Sequence, residues 1–463
     1  MEKNNILKKI GELADKHKIE VWAVGGFVRD KILKRGVKDI DFVVLGDGPG
    51  FAKKTASALG TKDIVIFKKF QTAIVHYNGF QLEFVGARSE TYIEGSRKPI
   101  VAASDLNSDL LRRDFTINAI AYGLNKNNFS EIFDPLNGRI DIQNKIIRTP
   151  LDPEITFKDD PLRILRAIRF AAKLNFTIEN NTFNALKRMG QRLEIISQER
   201  ITAELLQILK ADKPSVGFYL LDKAGILSYI FPEIAAMKGV EQRKGYHHKD
   251  AFEHTLKVVD NVANVSDKVE LRFAALVHDI AKPKTKKFVQ GTGWTFHGHD
   301  EIGARMLKPI CHRLRLSKEL LKYAQKLVRL HLRPIHLVDE EVTDSANRRL
   351  LFQAGEDIDD LLILCRADIT SGNPNRVKQH LANFDFVTKR LQEVEEKDKM
   401  KAFQSPVRGD EIMEVCKIPP GPMIGKLKKL IEEAILDSVI DNEHDAAFQY
   451  LLKIKDQVLG ESE

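Results

Sequence analysis

Cysteine is scarce in this chain of 463 residues, and the three that occur, Cys311, Cys365 and Cys416, lie far apart without a CxxC pair. This spacing suggests neither a disulfide framework nor a thiolate zinc site. Long apolar runs are also lacking, since none approaches the roughly 18 residues that a membrane helix needs. The charged N-terminal stretch has no signal-peptide apolar core. We expect a cytoplasmic protein with no membrane partner.

The overall composition is that of an ordinary soluble globular protein. Hydrophobic residues make up 43% and charged residues 30% of the chain, and the length allows about three domains. The formal net charge is +8 and the sequence pI is about 9.0. This moderate basic excess is compatible with a polyanionic partner such as RNA.

One short unit, residues 21–44, combines a strand, a glycine turn, a helix and a second strand. The apolar run VWAV predicts a buried strand that ends at Gly25 and Gly26, which permit close backbone approach. A helix carrying Arg29 follows. A phosphate at its N-terminus would meet free backbone N–H groups and a guanidinium.

Carboxylates dominate the next strand. Asp39 and Asp41 are two residues apart, so they share one face while Ile40 points into the core. Two carboxylates on one face repel each other unless a cation lies between them, which suggests Mg²⁺ beside a triphosphate. Glu83, on a later predicted strand, could complete a carboxylate triad.

Residues 87–110 show little periodicity and are predicted to form a mobile loop. The stretch after it places Arg112 and Arg113 before Asp114, with Asn118 one predicted helical turn later. The arginines can neutralise phosphates, while Asp114 and Asn118 can bind a ribose hydroxyl.

A predicted helix then carries charge at steps of three, on Asp160, Arg163, Arg166 and Arg169, and we predict that these residues bind the nucleotide. Further along, Glu199, Arg200 and Glu204 fit an ordinary i,i+4 salt-bridge pattern capped by Ser197.

The region 245–395 contains imidazole and carboxylate side chains in a characteristic order. His254, the pair His278 and Asp279, and Asp368 can bind one divalent metal ion, and His299 with His331 could support a second.

The ordered motifs GGFVRD, DIDFVV, LEFVGARSETY, RRDFTINAIAY and FDPLNGRIDIQNKIIRTP resemble the head domain of the bacterial class II tRNA nucleotidyltransferase and poly(A) polymerase family. The resemblance implies an α+β fold, with a polymerase-beta-like head built on a mixed or antiparallel sheet and all-α regions after it. The implied domains are a head at 1–150, a helical neck and body at 151–240, an HD metal-binding domain at 245–395 and a helical tail at 396–463.

The same resemblance assigns roles to individual residues. Asp39 and Asp41 would hold two Mg²⁺ ions, with Glu83 as an auxiliary acid, and Gly25, Gly26 and Arg29 would position the triphosphate. Asp160 and Arg163 match the template pair of an EDxxR motif, in which Asp159 replaces the usual Glu. Glu199, Arg200 and Glu204 match the family's ERxxxE motif, whose charged residues would steady the neck helices around the nucleotide pocket. The set of His254, His278, Asp279 and Asp368 resembles the HD phosphohydrolases, whose metal, a transition metal or Mg²⁺, activates water against a phosphoester.

We therefore predict a template-independent enzyme that adds CCA to the 3′ end of tRNA from CTP and ATP, contacting the acceptor stem and elbow largely through phosphates. Three alternatives remain open. The enzyme could add only CC, only A or a poly(A) tail; it could be an HD phosphohydrolase whose head delivers RNA; or it could be an RNA-binding protein without catalysis. The sequence leaves the oligomeric state undetermined.

Overall fold

The computed structural model describes residues 2–67, 71–91, 100–103, 105–241, 250–337, 344–370, 373–398 and 405–460. Internal contacts divide the chain into two compact units, Met1–Ala235 and Ala236–Glu463. The finer division into four domains stays a prediction. None of the helices within the described ranges combines the length and apolarity needed to cross a membrane.

The first unit is built around a mixed sheet of seven strands, in the order β3-β4-β5-β2-β1-β8-β9. Its strands and those of two small ribbons are β1 Glu20–Val24, β2 Asp39–Leu45, β3 Ile64–Phe67, β4 Thr72–Tyr77, β5 Phe80–Gly86, β6 Arg88–Thr91, β7 Ile100–Ala103, β8 Ala121–Gly123, β9 Ile132–Phe133, β10 Ile146–Ile147 and β11 Thr177–Ile178. β6 pairs with β7, and β10 with β11.

Side-chain alternation sets the register of the central strands. β2 runs antiparallel to β1 and parallel to β5, with Ile40 opposite Leu82 and Phe42 opposite Phe84. These four side chains are buried, and the Phe42 and Phe84 rings stack at 4.7 Å between centroids. Because strand side chains alternate in direction, the acidic residues between them face the other side of the sheet.

Helices pack against this sheet and continue the unit beyond it. Their bounds are α1 Glu2–His17, α2 Gly26–Ile32, α3 Gly48–Leu59, α4 Leu106–Leu111, α5 Gly138–Asn144, α6 Pro153–Asp159, α7 Leu162–Leu174, α8 Asn180–Met189, α9 Gln198–Leu209, α10 Pro214–Lys223, α11 Leu227–Ile230 and α12 Pro232–Ala235. Short 3₁₀ turns occur at Thr116–Asn118 and Gly190–Ile195.

Within its described residues, the second unit is helical except for one hairpin of β12 Lys287–Val289 and β13 Gly293–Thr295. Its helices are α13 Ala251–Ala263, α14 Val269–Val277, α15 Lys282–Thr285, α16 His299–Arg313, α17 Lys318–Leu330, α18 Asp344–Ala354, α19 Ile358–Asp368, α20 Pro374–Asp398, α21 Gly409–Cys416, α22 Pro422–Leu436 and α23 His444–Gly460. The last three helices share an apolar core that includes Ile412, Leu427, Ile431 and Leu451. The predicted α+β architecture is confirmed.

Three local predictions differ from the structure. The predicted loop at 87–110 contains the β6-β7 ribbon and α4, while its residues 92–99 and 104 lie outside the described ranges. Asp114 and Asn118 do not share an α-helix, because the chain there is extended and then forms a 3₁₀ turn. Asp160 lies at the junction before α7 rather than on the helix that carries Arg163.

Candidate active sites

Three carboxylates lie on one face of the central sheet in the first unit. Asp41 on β2 is the register partner of Glu83 on β5, and Asp39 is two residues earlier on β2. Register partners in adjacent strands point to the same side, so the predicted triad shares one face. Burial raises the pKa of Asp41, and Asp39 adds to this rise, while Arg113 and Arg29 oppose it. A bound cation would relieve the repulsion between the two aspartates.

The predicted glycine turn lies directly beside Asp41. Gly25 has a φ of +72° and caps α2. A Cβ at this position would lie 3.2 Å from Asp41 Oδ2 and 3.1 Å from Arg113 Nη1. Only glycine adopts this φ at little cost, and its small size lets a carboxylate and a guanidinium approach the turn, where Gly26 begins the helix.

Asp109 organises the two predicted phosphate-binding arginines and was missed from the sequence. Its side chain has no solvent exposure. Oδ1 accepts bonds from Arg112 Nη2 at 2.6 Å and Nε at 3.1 Å, and Oδ2 accepts one from Arg113 Nη2 at 3.0 Å. The i,i+3 and i,i+4 spacing from Asp109 to the arginines was a readable signal.

A buried polar chain lies behind this site. Arg29 is 4% exposed, and its guanidinium donates twice to Asp30 at 2.8 Å and once to Asn118 Oδ1 at 2.6 Å. Asn118 donates to Asp114 Oδ1 at 2.9 Å, and Arg166 donates to Asp114 Oδ2 at 2.9 and 2.5 Å. These bonds make Arg29 a support of the site, and its predicted contact with a triphosphate stays a prediction.

The Asp114 carboxylate likewise accepts hydrogen bonds from neighbouring groups of the protein. Besides Asn118 and Arg166, its carboxylate accepts the Phe115 amide at 2.8 Å. Burial alone would raise its pKa, but Arg166, Asn118 and Arg163 outweigh this and hold the pKa at about 2. The predicted role of Asp114 and Asn118 in ribose binding stays a prediction, and their visible role is to join the 3₁₀ turn to α7.

We expect Asp114→Asn to lower the free energy of unfolding of the first unit by about 2 kcal/mol at neutral pH, the value of a shift from 3.8 to about 2. Because the folded pKa is depressed, this stabilisation is present above pH 4 and is lost as the pH falls towards 2. Urea unfolding from pH 7 to 3 measures it in a Trp294→Phe background, in which Trp22 is the remaining tryptophan and reports on this unit.

The matched control is Asp212→Asn, which changes an exposed aspartate of the same unit. It should leave the free energy of unfolding unchanged at every pH. A difference between Asp114→Asn and wild type that does not shrink in acid would contradict the assignment to this carboxylate.

The predicted template pair is held at the junction of α6 and α7. Asp160 Oδ1 accepts the Leu162 amide at 3.1 Å, and Oδ2 pairs with Arg200 at 3.2 Å. Arg163 Nη2 donates to the Arg112 carbonyl at 2.6 Å. Hydrogen bonds thus orient both side chains. The bond from Arg163 to the Arg112 carbonyl also joins α7 to the segment that carries Arg112 and Arg113.

Two of the ERxxxE residues form ion pairs outside α9. Arg200 reaches Asp160, and Glu204 Oε2 lies 3.2 Å from Arg169 Nε on α7. The i,i+4 interpretation stays a prediction, while Ser197 lies at the N-cap of α9 but its side chain makes no capping hydrogen bond. Arg29, Arg166 and Arg169 surround the Phe170 ring with guanidinium carbons 5.1, 5.7 and 4.5 Å from its centroid. Arg166 pairs with Asp114 and Arg169 with Glu204, so both of these arginines, which were predicted to bind nucleotide, are held in ion pairs.

The second unit brings all six predicted metal ligands together, in two groups whose ligand atoms lie within 4.8 Å of one another: His254, His278 and Asp368, and Asp279, His299 and His331. We call these six residues the HD cluster. Asp279 joins the groups, because Oδ2 lies 3.2 Å from His278 and 3.4 Å from His254 while Oδ1 lies 3.3 Å from His299.

The histidines of the HD cluster all point the same nitrogen inward. His278, His299 and His331 each bond through Nδ1 to the carbonyl three residues earlier, at 2.7–2.8 Å, and His254 bonds through Nδ1 to Thr370 at 2.7 Å. The Nε2 atoms of His278, His299 and His331 are buried and have no hydrogen-bond partner among the described residues. An Nδ1 donor fixed in this way leaves the Nε2 lone pair for a metal.

The two carboxylates of the HD cluster favour a positive charge beside them. Burial opposes the charged form of His278, but Asp279 and Asp368 outweigh it and raise its pKa to about 10. Burial lowers the pKa of His331 to about 4. Lys282, a residue that the sequence did not single out, lies with Nζ 2.5 Å from Asp279 Oδ2. Four inward imidazoles with two carboxylates form a donor set that fits divalent transition metals.

The donors of the head differ from this set. Among the described residues, groups of three or more ligands within 4.8 Å of one another occur only in the HD cluster, so the head carboxylates stand further apart. Oxygen donors of this kind fit a hard cation such as Mg²⁺, which keeps several waters and bridges to substrate phosphates.

Three protein-family models match parts of this chain. Residues 21–148 match the poly A polymerase head domain, residues 175–238 a probable RNA and SrmB-binding site of polymerase A, and residues 251–373 the HD domain. Head and HD domains of these kinds generally use divalent metals.

Similar proteins cover most of the chain. It is 35% identical over 372 residues to the multifunctional CCA protein of Nitrosococcus oceani, covering 77% of this chain and 87% of the relative, and 31% identical over 408 residues to that of Pseudoalteromonas atlantica, covering 85% and 96%. The fold matches the Bacillus stearothermophilus CCA-adding enzyme in complex with CTP, with a TM-score of 0.67 at 23% identity and 98% coverage of both chains. It also matches a tRNA nucleotidyltransferase complexed with a primer tRNA and an incoming ATP analog, with a TM-score of 0.59 at 23% identity, covering 82% of this chain and 98% of that one. The chain therefore belongs to the bacterial tRNA nucleotidyltransferase and poly(A) polymerase family, among the CCA-adding members with an attached HD domain.

Proposed function

We propose that this protein adds CCA to the 3′ end of tRNA, using CTP and ATP and releasing pyrophosphate. The observation that carries the proposal is the shared face of Asp39, Asp41 and Glu83 beside the Gly25 turn, in a chain that belongs to this family. The enzyme would work in the cytoplasm. Narrower activities, restricted to CC, A or a poly(A) tail, use the same chemistry and are separated by experiment.

The head residues would hold Mg²⁺ and position the reacting groups. Asp39 and Asp41 would bind the ions, which supply charge neutralisation for attack of the 3′ hydroxyl on the α-phosphate. Arg112 and Arg113, anchored by Asp109, would bind the triphosphate with their planar guanidinium groups. Glu83 would lie beside Asp41 as an auxiliary acid.

The template pair would select the base without a nucleic-acid template. Cytosine and adenine both present an exocyclic amine beside an acceptor ring nitrogen, which a carboxylate acceptor next to a guanidinium donor can bind. Guanine and uracil present the opposite order and would leave buried polar groups unpaired. Asp160 and Arg163 supply the required groups, and the bonds to Arg200 and the Arg112 carbonyl would hold them in place.

Incorporation of CTP and ATP, separately and together, into tRNAs ending at the discriminator base, at C and at CC tests the activity. Ordered addition of C, C and A that then stops is the expected result. Addition of A alone to the CC end, of CC alone to the bare end, or of an unbounded A tail would instead identify one of the narrower activities.

Asp109 should act as a positioning residue for this reaction. We expect Asp109→Asn to raise the KM for CTP and ATP by roughly 10- to 100-fold, because the charge-assisted bonds that orient Arg112 and Arg113 are weakened. The affinity advantage of a nucleoside triphosphate over its monophosphate should shrink by a similar factor, which equilibrium binding measures.

The control for Asp109 is Asp105→Asn, at the exposed N-cap of the same helix. Asparagine caps helices as well as aspartate does, so this variant should retain both the KM and the triphosphate preference. Equal effects of the two substitutions would show that only the helix, and not the anchoring of the arginines, matters.

The HD cluster supports a second activity, the metal-dependent hydrolysis of a phosphate ester. The observation that favours it is the set of buried Nε2 atoms without hydrogen-bond partners around Asp279. The residues would bind a divalent ion, a transition metal or Mg²⁺, which supplies a nucleophilic water near neutral pH. Hydrolysis of bis(p-nitrophenyl) phosphate with Mn²⁺, Co²⁺, Ni²⁺ or Mg²⁺ tests it.

A further inference from the structure

One segment, residues 280–298, connects two ligands of the HD cluster, Asp279 and His299. It contains no acidic residue and carries four lysines and three aromatic residues, namely Lys282, Lys284, Lys286, Lys287, Phe288, Trp294 and Phe296. We call it the basic hairpin segment. A charge run is often only a solvated surface, so the placement of these side chains decides whether the segment can bind anything.

The aromatic residues of the hairpin form an exposed platform. Phe288 on β12 is the register partner of Trp294 on β13, and their rings meet edge to face at 5.2 Å between centroids. Lys286 Nζ lies 4.2 Å from the centre of the Trp294 ring. Phe288 is 51% and Val289 43% exposed. Exposed apolar side chains that lie together, and not singly, indicate an interaction site.

The base of the segment is joined to the HD cluster. Lys282 Nζ lies 5.6 Å from the Phe296 ring centre and 2.5 Å from Asp279 Oδ2. The Phe296 carbonyl accepts the Nδ1 bond of His299 at 2.7 Å. A molecule lying along the segment would therefore end beside the residues that bind the metal.

We propose that the basic hairpin segment binds the single-stranded end of an RNA and presents its terminal phosphate to the HD cluster. Aromatic rings stack with bases of any sequence, and lysines neutralise the phosphates between them. The absence of acidic residues from residue 280 to residue 298 matches a polyanion. The proposal adds an RNA-binding surface to the hydrolase proposed above and rests on that activity.

Hydrolysis of the terminal phosphate requires water as its only co-reactant. Water adds to the phosphorus, and the bond between phosphorus and the ribose oxygen breaks. The ribose oxygen takes a proton and becomes a hydroxyl, while inorganic phosphate leaves. The product is an RNA with a free hydroxyl, which is the group that nucleotide addition requires.

Tryptophan fluorescence tests the binding in the full chain, which has two tryptophans, Trp22 and Trp294. A short single-stranded RNA ending in a 3′-phosphate should quench the emission of wild type and of Trp22→Phe, but not that of Trp294→Phe. Heparin, a polyanion without bases, should compete for the site without quenching. Unchanged Trp294 emission at saturating RNA, or equal quenching by heparin, would overturn the proposal.

Variants test the contribution of the lysines and the platform. Lys284→Gln combined with Lys287→Gln, and separately Trp294→Ala, should each raise the Kd for the RNA about tenfold. The pair Lys308→Gln with Lys318→Gln removes two exposed lysines from α16 and α17 and should leave the Kd unchanged. Equal Kd values for all variants would overturn the docking surface.

Measurements of hydrolysis distinguish a failure of the docking proposal from a failure of the hydrolase activity on which it rests. With Mn²⁺ bound, the lysine variant should release phosphate from the RNA end about tenfold less efficiently, yet cleave bis(p-nitrophenyl) phosphate as wild type does. If wild type cleaves neither ester with any of the metals while Trp294 is still quenched, the hydrolase is overturned and the RNA surface stands. If the small ester is cleaved and the RNA neither binds nor reacts, the docking proposal alone fails.

Discussion

Replacing Asp41 with asparagine should lower the rate of nucleotide addition roughly 1,000-fold, the scale expected when a group that stabilises charge in the transition state is lost. Asp41 lies beside Glu83 in register and faces Arg113 across the Gly25 turn. Asparagine fills the same volume but carries no charge for Mg²⁺. The measurement is incorporation of labelled CTP into tRNA over a range of Mg²⁺ concentrations. Asp39→Asn should behave in the same way.

Two controls make the Asp41 result specific. Asp212→Asn, on the surface of the same unit, should add nucleotides at the wild-type rate. Cleavage of bis(p-nitrophenyl) phosphate should be unaffected by Asp41→Asn, because its proposed ligands are in the HD cluster. Normal CCA addition by Asp41→Asn would exclude the carboxylate face as the catalytic centre. Binding of tRNA by wild type without any Mg²⁺-dependent incorporation would instead favour the RNA-binding protein without catalysis.

The strands that carry the three carboxylates could be predicted because their signals are local. The apolar run before Gly25 and the alternation of Asp39, Ile40 and Asp41 each determine burial within a few residues. The register that places Glu83 beside Asp41 is a long-range property, yet alternation alone already indicated the face to which Glu83 belongs. The predicted triad therefore agrees with the sheet.

The charged residues around the neck could not be assigned from spacing. Arg166 bonds to Asp114, which is 52 residues earlier in the chain, and Arg29 bonds to Asn118, which is 89 residues later. Such partners depend on tertiary packing, and a stripe of arginines at steps of three looks the same whether it faces substrate or buried carboxylates. Asp109 differs from these residues, because its spacing of three and four from Arg112 and Arg113 already indicated the ion pairs, and only its burial depends on tertiary packing.

In the HD cluster, the candidate metal-binding residues could be predicted from the sequence, but the bonds that orient them could not. The order of histidines and aspartates identified all six residues, because ligand chemistry restricts the residue types. The bonds that orient them could not be read, since they go to backbone carbonyls such as those of Ala275 and Val328. Lys282 was equally hidden, although its spacing of three from Asp279 on a helical turn allows the contact.

Asp279→Asn should abolish metal binding by the HD cluster and lower ester hydrolysis by about 1,000-fold. One Asp279 oxygen lies near His254 and His278 and the other near His299 and His331, so both ligand groups lose their shared carboxylate. Loss of a ligand weakens binding far more than the roughly 10- to 100-fold cost of losing an outer partner. Metal content after dialysis and isothermal titration with Mn²⁺ measure the effect directly.

Metal binding by wild type should also release protons. Without metal, the neighbouring carboxylates raise the pKa values of His254 and His278 above that of free imidazole, to about 10 for His278, whereas a metal ligand must be neutral. Titrations in buffers of different ionisation enthalpy should therefore give different apparent heats. Equal heats in all buffers would show that the histidines are already neutral before the ion binds.

The decisive comparison is between Asp279→Asn and Asp267→Asn, which alters a fully exposed aspartate of the same unit. Asp267→Asn should keep metal, hydrolysis and CCA addition. Asp279→Asn should lose the first two and keep the third, because the carboxylates that we propose for nucleotide addition are Asp39 and Asp41. Loss of CCA addition in Asp279→Asn, with the head still folded by Trp22 fluorescence, would contradict two independent chemistries and would make the HD cluster part of the nucleotidyltransferase reaction.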